Sequence, residues 1–144
     1  MFARRILPHM STPRGQTLLT QLAERLHAES DIVLAIAFGS AATGKLRPDS
    51  DIDVAVLMSS PMTVERRRAL TELLADAAGR PVDLVDLSTS GVAVTRAALT
   101  QGRRLVTRDK SALARLLFKT LLDAADFLPY RQRILSERRE TWIH

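Results

Sequence analysis

Apolar residues recur at helical spacing from Gln16 to Ala28, where Leu18, Leu19, Leu22, Ala23 and Leu26 share one face. Ser30-Asp31 breaks that pattern. Ile32 to Phe38 is then a continuous apolar run of strand length, and it stops at Gly39-Ser40. A polar loop with Gly44, Lys45, Arg47 and Pro48 leads to a second strand, Asp51 to Leu57. After the turn Ser59-Ser60-Pro61, the pattern predicts a helix over 63–78, capped by Thr63 or Ser60 and stopped by Gly79. A third strand covers 81–87. Ser88 to Ser90 are expected to cap a short helix over 92–100, and Gly102 ends it before a fourth strand, 104–107.

The rest reads as helix. Asp109 or Ser111 caps a segment running to Phe127, with Leu113, Leu116, Leu117, Leu121 and Leu122 on one face. Pro129 interrupts it, and Tyr130 to Trp142 forms one more helix. The order predicts an α/β (α+β) domain: a small mixed sheet of four strands flanked by helices, with a helical C-terminal tail. The expected divisions are an N-terminal arm 1–14, a core 15–108, and a helical segment 109–144 that packs on the core or binds a partner.

Composition narrows the chemistry. A chain of 144 residues, 46% hydrophobic, is expected to be one domain with a real core. With no cysteine it has no disulfide, thiolate nucleophile or cysteine-based zinc site. His9, His27 and His144 are scattered, so a metal would have to be a hard cation held by carboxylates. The net charge of +5 suits a nucleotide, nucleic acid or acidic protein. Aromatic content of 4% argues against binding single strands by base stacking, and direct nucleic-acid binding is not expected. No apolar stretch is long enough to span a bilayer, and the N-terminus makes a poor signal peptide. A cytoplasmic protein is expected.

Three features carry candidate chemistry. Gly39 lacks a Cβ, so backbone there can approach an anion, and Ser40 adds a hydroxyl and an N–H. Asp51 and Asp53, two apart on a strand, share one face and repel unless a cation lies between them. Mg²⁺ suits such short oxygen ligands. Asp83 lies inside an apolar strand, where a charge needs a partner. Asp86 has the opposite parity and could instead cap the helix beyond Ser88, so Asp83 is favoured as the third ligand. Alone, a Gly-Ser turn or an Asp-x-Asp pair is common in structural roles.

Together, Gly39, Ser40, Asp51, Asp53 and Asp83 resemble the motif of the polymerase-β-like nucleotidyltransferase superfamily. In length and spacing the chain resembles its minimal nucleotidyltransferases (MNT). Further along, VDLVDL at 82–87, QGRRLVTRD at 101–109 and DAADFLPYR at 123–131 resemble MntA-like antitoxins of HEPN–MNT toxin–antitoxin pairs. The resemblance implies transfer of a nucleoside monophosphate from an NTP, here ATP, to a hydroxyl with release of pyrophosphate. It implies that Asp51, Asp53 and Asp83 hold two Mg²⁺ ions and that Asp83 accepts the hydroxyl proton. It implies that Gly39 and Ser40 grip the β- and γ-phosphates. Lys45 and Arg47, in the intervening loop, can neutralise triphosphate charge, or can be a solvated basic loop. The implied acceptor is a tyrosine of a HEPN-type RNase toxin encoded nearby, with which the chain would form a hetero-oligomer. The sequence does not fix the base.

Phe127, Tyr130 and Trp142 gather near the C-terminus with Arg131, Arg133, Arg138 and Arg139, a composition suited to a partner interface or to packing on the domain. Two other readings stay open: a non-catalytic antitoxin that acts by covering its partner, and a nucleotidyltransferase with a small-molecule acceptor.

Overall fold

The computed structural model describes residues 13–123 and 125. The elements are α1 (Pro13–His27), β1 (Ile32–Phe38), α2 (Ser40–Thr43), β2 (Ile52–Met58), α3 (Val64–Ala78), β3 (Val82–Asp86), α4 (Val92–Gln101) and β4 (Arg103–Thr107). Residues 110–123 are helical as well. The strands form one mixed sheet in the order β3-β2-β1-β4. β1 runs antiparallel to β2 and to β4, while β2 and β3 are parallel. A parallel pair needs a crossover connection, and α3 supplies it.

Two apolar layers clothe the sheet. On one face, Ala35, Ile52, Val54, Val56, Val82 and Leu84 meet Leu22 and Leu26 of α1 and Leu70 and Leu74 of α3. On the other, Leu34, Ile36, Ala55 and Leu87 meet Ala98 of α4, with Leu113 and Leu116 packed beside them. Each fully buried leucine contributes about 1.5–3 kcal/mol.

Arginines tie the ends of the sheet together. Arg66 of α3 donates from Nε to Asp31 Oδ2 at 2.9 Å and from Nη2 to Asp31 Oδ1 at 2.8 Å, and it also reaches Glu29 at 2.9 Å. That fork grips the loop from α1 to β1. Arg108 donates to the carbonyls of His27, Glu29 and Ile32, closing the C-terminal end of α1. Arg67 donates to the Leu84 carbonyl at 2.7 Å on edge strand β3, which occupies an acceptor that an edge otherwise leaves open.

Among the described residues the predicted order is observed with one added element, the single turn α2 inside the expected polar loop, and with local corrections; the helix expected over 130–142 lies outside the described residues. α1 begins at Pro13, two residues inside the expected arm, because proline suits the first helical position. β2 starts at Ile52, so Asp51 lies one residue ahead of it rather than within it. Gly91, not a serine, is the N-cap of α4, and no side chain caps that helix. Ser90 instead has its hydroxyl 2.5 Å from that of Thr95. Thr63 does cap α3, accepting from the Arg66 N–H at 3.0 Å, and Gly79 ends it in the left-handed region. Asp109 accepts from the N–H groups of Ser111 and Ala112, as expected of a cap. The rest of the arm and the tail aromatics Phe127, Tyr130 and Trp142 with their arginines lie outside the described residues.

Candidate active site

The end of β1, the start of β2 and the start of β3 form one row. Phe38 pairs with Asp53, and Asp53 pairs with Asp83. Cross-strand partners project from the same side of a sheet, so both carboxylates stand on the α4 face. Asp51, two residues before Asp53, lies at the same end. Asp51 and Asp83 are exposed and Asp53 is half-buried.

Asp53 records their convergence. Burial is the largest cause pushing its carboxyl above the ordinary carboxylate range, and the charges of Asp83 and then Asp51 push it further. Three acids crowd one sheet corner, and no described side chain donates to them. Among the described residues no three acidic, histidine or cysteine side chains close into a ready ligand cage. The aspartates form an open row, near enough for their charges to repel. The donors are all carboxylate oxygens, exposed at Asp51 and Asp83 and half-buried at Asp53, which fits a hard cation completed by phosphate oxygens and water.

The backbone turns sharply beside the row. Gly39 has φ 68° and ψ −142°, close to a region that glycine alone enters readily. A Cβ there would lie 2.5 Å from Asp53 Oδ2. The carbonyl of Gly39 accepts from the N–H groups of Ala42 and Thr43, which starts the single turn of α2. The Ser40 side chain has no hydrogen-bond partner among the described residues.

Asp86 faces the other way. It is 8% exposed, and its Oδ1 accepts from the N–H and hydroxyl of Ser88 at 3.0 and 2.7 Å. Parity and use both remove it from the row, so Asp83 is the third acid there. Lys45 and Arg47 are exposed in the loop between α2 and β2, and neither side chain has a partner among the described residues.

Sequence reasoning missed two neighbours. Phe38 stands beside Asp53 as an apolar flank, visible beforehand only as the last residue of a strand. Arg80 donates from Nη1 to the carbonyls of Arg47 and Ser50 at 2.7 and 3.4 Å. A side chain bonded to backbone oxygens has no sequence signature.

Comparisons with known proteins agree with this fold. Residues 20–111 match the family described as Polymerase beta, Nucleotidyltransferase. The chain is 38% identical over 72 residues to the protein adenylyltransferase MntA of Shewanella oneidensis, covering 50% of this chain and 52% of that one. It thus spans about half the length of the curated relative it matches. A solved toxin–antitoxin structure with AMP-PNP superposes with TM-score 0.71 at 28% identity, covering 83% of this chain and 96% of that one. A complex of tri-AMPylated Shewanella oneidensis HEPN toxin with MNT antitoxin has TM-score 0.67 at 26% identity, covering 85% and 97%.

Proposed function

The chain belongs to the polymerase beta nucleotidyltransferase family, and we propose that it transfers AMP from ATP to a tyrosine hydroxyl of a partner HEPN-type toxin. It would thereby neutralise the toxin as its antitoxin. The observation that carries this reading is the Asp53–Asp83 register pair on an open sheet corner, with Gly39 against Asp53. The similar solved complexes that contain AMP-PNP or an AMPylated HEPN toxin support the choice of nucleotide and acceptor.

The acceptor oxygen attacks the α-phosphorus, the bond from that phosphorus to the pyrophosphate oxygen breaks, and pyrophosphate leaves. Asp51, Asp53 and Asp83 would hold two Mg²⁺ ions. Bound there, such ions lower the pKa of the attacking hydroxyl and neutralise charge on the leaving group. Asp83, exposed at the row's outer end, accepts the hydroxyl proton. The turn at Gly39 lets backbone approach the β- and γ-phosphates, and the unpartnered Ser40 hydroxyl donates to them. Lys45 and Arg47 add positive charge from the loop above. Together these groups hold the α-phosphorus in line for attack. AMP on the tyrosine places bulk and negative charge beside the toxin's own site. A cytoplasmic reaction is the reading that goes with ATP as substrate and an RNase toxin as partner.

A labelled nucleotide tests this. The chain, Mg²⁺ and the HEPN protein encoded beside it are incubated with ATP labelled at the α- or the γ-phosphate. Only the α-label should reach the toxin, on tyrosine, and a Tyr→Phe toxin should lose it. Transfer of the γ-label, or no transfer at all, would reject the assignment.

A further inference from the structure

We propose that Arg80 is a positioning residue for Asp51, the acid that lies outside the sheet ladder. The inference rests on the reading of the acidic row as a cation and nucleotide site.

Asp53 and Asp83 need no such help, because β2 and β3 hold them in register. Asp51 sits ahead of β2, at the end of an exposed polar loop. That loop closes on itself through a small turn. The Ser50 N–H donates to the Arg47 carbonyl at 3.1 Å, and the Arg47 N–H donates to Ser50 Oγ at 3.1 Å. Among the described residues no hydrogen bond within that turn fixes it to the sheet, and the nearest packing anchor is Leu46, just ahead of it. Arg80 does: its Nη1 donates to the carbonyls of Arg47 and Ser50, the first and last residues of the turn. Arg80 itself is anchored just before β3, where the adjacent Pro81 carbonyl accepts from the Ile52 N–H at 3.1 Å. One guanidinium therefore ties the segment carrying Asp51 to the strand carrying Asp83. It also fixes the backbone from which the Arg47 side chain projects. An arginine suits the task, since its rigid fork is preorganised and stays charged at every working pH.

Loosening that tie leaves all three acids in place but lets one wander. Residues that orient ligands from behind typically change metal affinity or activity about 10–100-fold when removed. Arg80→Ala should therefore raise the Mg²⁺ concentration needed for half-maximal thermal stabilisation by about tenfold or more. It should also lower kcat with a smaller change in the KM for ATP. Its melting temperature without cation should stay near that of the wild type, because the lost bonds go to a loop outside the sheet ladder. Arg80→Lys, which keeps one donor group for the same carbonyls, should recover part of both effects. A merely structural arginine would lower the cation-free melting temperature and leave the Mg²⁺ midpoint alone.

The thermal midpoint is read without turnover, so the two ideas separate. Wild-type turnover with an unchanged midpoint and kcat in Arg80→Ala overturns the role of Arg80 and spares the proposed function. A wild type that responds to Mg²⁺ but transfers no AMP counts against the proposed function, while the variant's midpoint still decides Arg80. A wild type that transfers AMP but shows no thermal response to Mg²⁺ overturns the role of Arg80 and spares the proposed function, and one that does neither overturns both.

Discussion

Gly39 and Asp53 stand so close that any side chain on residue 39 would enter the Asp53 carboxylate, its Cβ 2.5 Å from Oδ2. The turn's φ of 68° compounds the conflict. Gly39→Ala must either shift the carboxylate or relax the turn. Relieving such a backbone costs about 1–3 kcal/mol. Displacing Asp53 by even an ångström should lower AMP transfer about a hundredfold. Melting curves and initial rates together check this, and a fully active alanine variant would contradict the packing described.

Asp53 works against the fold in the absence of a cation. Burial, then Asp83 and Asp51, favour its neutral form. A carboxyl whose folded pKa is raised weakens the fold as pH climbs from its ordinary value through the raised one. At neutral pH the ionised group is therefore a liability. Asp53→Asn should melt a few degrees higher than the wild type in cation-free buffer at pH 7, while losing transfer activity. Added Mg²⁺ should raise the wild-type melting temperature and narrow or reverse that gap. An asparagine variant that melts lower in cation-free buffer would count against the crowding of charge at this corner.

Asp31 shows the opposite dependence at the far end of the sheet. The hydrogen bonds from Arg66 are the main cause holding its carboxyl below the ordinary value of 3.8. A depressed folded pKa gives stability that is fully present above the unfolded value and lost as pH falls through the folded one. Arg66→Ala should cost on the order of 1 kcal/mol at pH 7 after solvent screening of this partly exposed pair. The difference from wild type should shrink below pH 3.8. Denaturant midpoints measured across that range test it; a pH-independent difference would assign Arg66 a packing role instead.

The legible parts of the sequence are those set by periodicity. The apolar run ending at Phe38 and the one following Asp53 gave two strands, and the parity of Asp83 against Asp86 selected the acid that shares a face with Asp53. Gly79 and Thr63 marked α3 because their cap chemistry is local. Three things escaped. Asp51 looked like a strand residue, since apolar alternation does not show where the ladder's first hydrogen bond forms. The cap of α4 was misread because Ser90 found Thr95 five residues on. Arg80 was invisible because its acceptors are carbonyls roughly thirty residues back in the chain.

The most direct measurement is the intact mass of the neighbouring HEPN protein after incubation with this chain, ATP and Mg²⁺. The account predicts a gain of one AMP or a whole multiple of it, absent with Asp51→Asn/Asp53→Asn and absent without Mg²⁺. An unchanged toxin mass with the wild-type chain, or the same gain with the double variant, would contradict the claim that this row of aspartates performs the transfer.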